Sequence, residues 1–340
     1  MMNVIDLPQR TPAWLEWRAG GVSASDVAIL LGLSPFKTPW RLWAEKTGLV
    51  RSEAELSSDW FRNKGTGGED AVRWAFEEKH DTMLLALCGE SEEQPLIRAS
   101  FDGIDDDGRP VELKVSCQKV YMEVLDLGRE STAYKLYWPQ VQTQLYVSGQ
   151  TLGWLVFYYG PGAMVEFEVE RDEVFIAQTL VPGCLDFWAQ IQNKKEPPRD
   201  PERDLYTPKA KELETWTLRA AEYRKAAAAK TALDNQVKTL KASIDVIEES
   251  LVAMMGDFLV AETAGIKVLR YAQRGLIAYK DAVAVLLPEL DPAVLETYRG
   301  ALSDRVKVTV LKEEKAQVPF DEAKVEAVLQ TAEDDKGCFF

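Results

Sequence analysis

The sequence predicts an α/β fold: a mixed sheet flanked by helices, followed by a helical arm and a small α+β region. Three observations carry this reading. Short apolar or alternating runs recur between helix-length segments up to residue 193. Residues 194–201 (K-K-E-P-P-R-D-P) have the composition of a linker. Beyond it, residues 208–256 are rich in Ala, Lys, Glu and Leu, and Leu233, Val237, Leu240, Ile244, Ile247, Leu251 and Met254 follow at spacings of three and four. The expected domains are residues 1–196 and an accessory region 205–340.

The elements follow in order. Residues 1–48 read as helical, with Trp14, Trp17, Trp40 and Trp43 as core anchors in pairs three apart. Ser25–Gly32 is a short helix, with a Ser or Asp cap and a terminating glycine. A helix is expected over 59–80, strands near 82–88, 96–101 and 111–116, and helices over 118–127 and 132–148. Leu152–Tyr159 reads as a buried strand, Met164–Val169 as its alternating partner, and 172–193 as a long helix. The stripe within 208–256 fits a helical hairpin or a coiled-coil arm, and either a packing face or an intermolecular seam. Strands near 266–272 and 305–311 complete the pattern, and no internal repeat is visible.

Composition narrows the chemistry. The single histidine, His80, lies in a polar stretch and reads as a solvated helix end, so His-ligated zinc and Ser-His-Asp catalysis are disfavoured. The four cysteines, Cys88, Cys117, Cys184 and Cys338, are far apart, without a C-x-x-C pair, which suits a reducing cytosol. The terminal Cys338-Phe339-Phe340 is one residue short of a prenylation box. Neither a phosphate loop nor a dinucleotide fingerprint is present. The N-terminus lacks the layout of a signal peptide, and no apolar run was expected to reach the ~18 residues that span a bilayer. The net charge of −15 divides as −12 before residue 205 and −3 after it. Nucleic acid can therefore be a partner only if basic residues concentrate along one channel. Part of the acidity would belong to a metal site, whose cations offset it.

One constellation stands out. Leu96–Phe101 reads as a strand ending at Asp102, residues 105–110 are turn chemistry, and Val111-Glu112-Leu113-Lys114-Val115 alternates as a half-buried strand does. A β-hairpin then places Asp102 beside Glu112 and Lys114, which share a face because the strand period is two. Two carboxylates with an ammonium alongside suit a hard divalent cation and an attacking water.

These segments resemble the YqaJ-type viral recombinase group, which includes lambda exonuclease, within the PD-(D/E)XK (restriction-endonuclease-like) nuclease superfamily. The resemblance rests on Trp14-Leu15-Glu16-Trp17-Arg18-Ala19-Gly20 with Ser23-Ala24-Ser25-Asp26, on Gly68-Glu69 with Ala71, on Ser100-Phe101-Asp102-Gly103, on Glu112-Leu113-Lys114, and on Tyr137-Trp138-Pro139-Gln140-Val141-Gln142-Thr143-Gln144-Leu145. It covers about residues 10–190, and Phe101 replaces the superfamily's proline, which the chemistry does not need.

The resemblance implies roles. Asp102, Glu112 and the Leu113 carbonyl would hold one or two Mg²⁺ (Mn²⁺ is also suitable), with Glu69 as a further acidic ligand or a plain helix-start residue, and Lys114 would orient or deprotonate the attacking water. The charge state of Lys114 is open, because a cation lowers its pKa and carboxylates raise it. Arg18 and Ser25, with Ser100 nearby, would bind a 5′-phosphate, and Gln140 and Tyr137 would touch the scissile region. Lys119 and Lys135 are candidates for the DNA path. The implied activity is 5′→3′ exonuclease digestion of duplex DNA with 5′-phosphorylated ends, leaving 3′ tails for a single-strand annealing protein, by a phage-type homotrimer in the bacterial cytoplasm. An endonuclease on the same core and a non-catalytic DNA-end or scaffold protein are the alternatives.

Overall fold

The computed structural model describes residues 2–51, 68–273, 275, 278–291, 293–294 and 309–327. Of the elements expected above, 59–67, 305–308 and Cys338 lie outside these residues. The chain divides into two units, Met1–Pro208 with Lys312–Glu322, and Lys209–Leu311 with Ala323–Phe340. The reading from sequence gave all of 205–340 to one accessory region. In the structure, Lys312–Glu322 joins the first unit, where Arg51 donates to the carbonyls of Gln317 (2.7 Å) and Glu313 (2.8 Å).

The first unit is mixed α/β, with two four-stranded sheets flanked by helices. Its elements are β1 (Met2–Ile5), α1 (Pro12–Ala19), β2 (Val22–Ser23), α2 (Ala24–Leu30), α3 (Pro39–Lys46), α4 (Gly68–His80), β3 (Leu87–Ser91), β4 (Ile97–Phe101), β5 (Gly103–Ile104), β6 (Pro110–Val115), α5 (Gln118–Leu127), α6 (Thr132–Ser148), β7 (Leu152–Gly160), β8 (Ala163–Glu170) and α7 (Glu173–Gln192). One sheet has the order β1-β3-β4-β2 and the other β5-β6-β7-β8. β2 runs parallel to β4 and β6 parallel to β7, while the remaining neighbours are antiparallel.

The expected hairpin through Asp102 differs in detail. β4 stays in the first sheet, the chain changes sheets at Asp102, and the hairpin is the short pair β5–β6, with Gly103 opposite Val111. Glycine is required at 103, because a Cβ there would lie 2.7 Å from the Leu84 Cβ. Residues 82–86 are not a strand. They run alongside β5, where Leu85 and Ile104 exchange hydrogen bonds of 2.9 and 3.0 Å.

β6 is buried on both faces, not on one. Val111 and Leu113 pack with Val72 and Phe76 of α4, and with Val156 and Tyr158 of β7. The opposite face carries Glu112 and Lys114 toward α6, whose Val141 and Leu145 pack against Leu155 and Phe157. Alternation reports a buried and a polar face, and here the polar face is covered too.

α6 begins at Ser131, whose hydroxyl accepts from the Tyr134 N–H, and ends at Gly149 in the left-handed region. α7 widens to a π-turn over Ile176–Leu180 just before Pro182, which cannot donate to the helical ladder. By length and composition α7 could cross a membrane, at a mean hydropathy of 1.3, contrary to the expectation of no such run. In the fold its Ile176, Leu180, Cys184 and Phe187 belong to the core around Trp40, Ile97 and Phe101. His80 corrects another expectation: half-buried rather than solvated, it stacks on Phe76 at 4.3 Å and lies 3.1 Å from Glu166.

The second unit contains α8 (Lys211–Met255), a single continuous helix of 45 residues and not a helical hairpin. A hairpin of β9 (Val260–Thr263) and β10 (Ile266–Leu269) follows, turning through Ala264 and Gly265, both at positive φ. α9 (Tyr279–Leu286) completes it.

Candidate active site

Asp102 and Glu112 face each other where β4 gives way to β5. Asp102 accepts a hydrogen bond from the Leu113 N–H at 3.0 Å, and its own carbonyl accepts from Arg73 of α4. Arg73 also donates to the Leu84 carbonyl at 2.8 Å, so it clamps the backbone at the sheet change. Glu112 is 1% exposed. Its Oε1 accepts from Gln140 (2.6 Å) and pairs with Lys114 (2.5 Å), and its Oε2 accepts from Gln144 (2.5 Å). The Lys114 ammonium also lies 4.4 Å from the centre of the Tyr137 ring.

The electrostatics follow from this packing. Burial, then repulsion from Glu112, pushes the Asp102 carboxyl up to about 7, against the pull of Lys114 and the Leu113 N–H. For Lys114, burial disfavours the charge, but Glu112 and Asp102 outweigh it and raise its pKa above the usual lysine value. The carboxylates thus keep Lys114 an ammonium, and one ammonium does not offset two of them. A divalent cation fits this donor set, because it would relieve the repulsion that raises Asp102. Among the described residues no cluster of three or more His, Cys, Asp or Glu side chains could hold a metal. An ion here would use two carboxylates, the Leu113 carbonyl and water, an oxygen set that Mg²⁺ accepts. Glu69, in the first turn of α4, adds to the negative field at Asp102, but its own carboxylate is paired with Arg10.

A second cluster is built by α1, β2 and α2. Arg18 donates to Ser25 (2.7 Å) and Ser23 (3.1 Å), and its guanidinium lies 4.6 Å from the centre of the Trp14 ring. The Trp14 indole N–H donates to Ser100 at 2.9 Å, which ties this cluster to the strand that ends at Asp102. Gly21 lets β2 approach β4, since a Cβ there would lie 2.5 Å from the Leu96 carbonyl oxygen. Ser23, not Ser25, caps α2, and its N–H donates to Asp26 at 3.0 Å. The Ser25 hydroxyl is therefore free of capping duty. Asp26 in turn pairs with Lys46 at 3.0 Å. Burial would raise its pKa, but Lys46, Arg18 and the Ser23 N–H together hold it below the usual value.

The structure thus brings Asp102, Glu112, Lys114, Tyr137 and Gln140 to one place, and Arg18, Ser25 and Ser100 to another. Lys119 is exposed on α5, and Lys135 pairs with Glu130 on the surface at 2.7 Å. Sequence reasoning missed Gln144, Arg73 and Ser23 as site residues. The i, i+4 spacing of Gln140 and Gln144 was the available signal for the first.

Two carboxylates and a lysine thus meet where the chain passes from one sheet to the other. The family model described as YqaJ-like viral recombinase domain matches residues 13–151. Both clusters lie within the matched residues. A similar curated sequence is the uncharacterized protein YqaJ of Bacillus subtilis (strain 168), 28% identical over 180 residues. That match covers 52% of this chain and 54% of YqaJ, so the chain spans about half the length of this relative. Among solved structures, an alkaline exonuclease from Laribacter hongkongensis is similar at a TM-score of 0.46 and 21% identity, over 54% of this chain and 94% of that one. Its complex with dAMP matches equally. A phage-related exonuclease from Haemophilus somnus 129PT is similar at a TM-score of 0.31 and 14% identity, over 51% of this chain and 96% of that one.

Proposed function

We propose that this protein is a metal-dependent DNA exonuclease of phage-type recombination, which resects duplex ends from the 5′ side and leaves 3′ single-stranded tails. The observation that carries the reading is the pairing of half-buried Asp102 with buried Glu112, with Lys114 at 2.5 Å from Glu112. The YqaJ-like domain around it supports a nuclease acting on DNA.

Asp102, Glu112 and the Leu113 carbonyl would hold Mg²⁺ or Mn²⁺, which supplies charge neutralisation at the scissile phosphate and activation of water. Gln140 and Gln144 hold both oxygens of Glu112, so its orientation is set before substrate arrives. Lys114, kept as an ammonium by its carboxylate neighbours, orients the attacking water and offsets charge that develops on the phosphate. Tyr137 covers the ammonium and confines it to the Glu112 side.

Arg18 with Ser25 forms the proposed pocket for the terminal 5′-phosphate, and Ser100 couples it to the reacting end of β4. Guanidinium and hydroxyl donors suit a phosphate dianion. A single-strand annealing protein in the bacterial cytoplasm would receive the tail, in line with the family resemblance. That resemblance also suggests a homotrimer.

The test is Mg²⁺-dependent digestion of a linear duplex by the full chain, beside its Glu112→Gln variant. Metal-dependent release of nucleotides by the wild type, with retained DNA binding but lost cleavage in the variant, is expected. Cleavage that is intact in Glu112→Gln, or indifferent to chelation of the metal, would overturn the proposal.

A further inference from the structure

The residue that meets Glu69 stands in an unusual backbone. Arg10 has φ +68°, in the left-handed region, where a residue other than glycine is uncommon and Asn or Asp is favoured. The turn is held on both sides. Before it, the Gln9 side chain donates to the carbonyls of Phe101 (2.8 Å) and Leu87 (3.3 Å), and Phe101 directly precedes Asp102. After it, the Thr11 hydroxyl donates to the Pro8 carbonyl at 2.9 Å and accepts from the Trp14 N–H at 3.2 Å, which starts α1. The fold thus fixes Arg10 near the carboxylate centre in a conformation that an arginine does not favour. Strain of this kind gathers where a side chain must be aimed.

The guanidinium is aimed at Glu69. Glu69 lies in the first turn of α4, and that turn is seated on the strand of Glu112 and Lys114: a Cβ at Gly68 would lie 3.1 Å from a Val115 methyl carbon. From there the Glu69 charge acts on Asp102. Yet among the described residues Asp102, Glu112 and Glu69 do not form a three-carboxylate metal cluster, and the Glu69 oxygen is held by Arg10 instead.

This pair is weak enough to open. Its side chains are 39% and 41% exposed, and ion pairs so wet contribute little. A divalent cation beside Asp102 attracts a third carboxylate more strongly than a hydrated guanidinium does, because its charge is double. We propose that Arg10 is a positioning residue, which holds Glu69 off the carboxylate centre and yields it when a divalent cation binds at Asp102 and Glu112. Arg10 and the cation then compete for one carboxylate, so metal loading is weaker than three unrestrained carboxylates would give. The inference rests on the reading of Asp102 and Glu112 as a metal site.

The experiment measures Mn²⁺ binding by the full chain, without DNA, by titration calorimetry and by the electron paramagnetic resonance of free Mn²⁺. Arg10→Asn removes the guanidinium and keeps a residue suited to the left-handed turn. It should tighten Mn²⁺ binding about two- to fivefold, the range of an exposed ion pair. Glu69→Gln, which leaves the Arg10 backbone untouched, should weaken binding, and in that background Arg10→Asn should add little. Unchanged or weaker binding in Arg10→Asn would overturn the inference. So would a Glu69→Gln variant that binds Mn²⁺ as the wild type does, or an equal gain from Arg10→Asn with and without Glu69, which would mean that Arg10 acts on the cation through its charge alone. Failure of the metal-site reading looks different: the wild type would bind no Mn²⁺, or Glu112→Gln would bind it equally well, and either result would sink both.

Discussion

The carboxylate centre and the Arg18 cluster are opposite in sign and in exposure. Glu112 is buried with both oxygens held by side-chain donors, and it faces an Asp102 whose carboxyl is pushed up to about 7. The centre is therefore short of positive charge. Arg18 instead reaches an exposed hydroxyl on Ser25, stacks on Trp14, and keeps donor capacity for an anion. On the proposed reading the difference is a division of labour: one region would take a cation, the other a phosphate. The Trp14–Ser100 hydrogen bond, two residues before Asp102, joins them.

Four changes break or sharpen that comparison. The largest effect is expected at the carboxylate centre. Lys114→Ala should lower cleavage by about 10³-fold or more while leaving duplex binding within a few fold. Near-normal turnover in a single-turnover assay would remove Lys114 from the chemistry. Next, Arg18→Ala should slow digestion of 5′-phosphorylated ends by about 10–100-fold, the range of a lost charge-assisted hydrogen bond or two. Ends carrying 5′-hydroxyl should be little affected, and an equal loss on both would dissolve the contrast between the regions.

Gln144→Leu should cost about 1–2 kcal/mol in urea unfolding. It strips a donor from a buried carboxylate oxygen, and the relief from removing the partnerless buried Gln144 Oε1 offsets only part of that. A stability equal to wild type would show that Gln144 does not hold Glu112. The smallest effect concerns pH. The folded-state pKa of Asp26 is lowered, so its contribution is present above the unfolded value near 4 and is lost as pH falls through the folded value. Asp26→Asn should therefore flatten the acid limb of the stability profile by about 1 kcal/mol and lower stability at pH 7, measured by denaturant titration across pH 2–7. An unchanged acid limb would show that the Lys46 pair does not govern it.

Much of this architecture was legible in the sequence, for local reasons. α5 and α6 span the expected 118–127 and 132–148, because caps and periodicity are local. β7 and β8 pair as their alternation suggested. Site residues close in sequence, such as Glu112 with Lys114, were legible as motifs. Long-range facts were not. The change of sheet at Asp102 is invisible because β4 and β5 read as one strand with a single residue between them. The run Met83–Ala86 looks like a strand, yet only Leu85 bonds across to Ile104, and β3 starts at Leu87. β1 escaped notice because four residues beside Ser91 and Glu90 have no periodicity of their own. Gln144 reads as helix surface, and its burial depends on β6 lying beneath α6. The return of Lys312–Glu322 to Arg51 has no local signature at all.

The most direct test of the two-region account is a linear duplex with one 5′-phosphate end and one 5′-hydroxyl end, digested by the full chain in Mg²⁺ beside a covalently closed circle. The account predicts loss of the strand that begins at the phosphate, with the circle untouched. Nicking of the circle, or loss of both strands at equal rates, would contradict it.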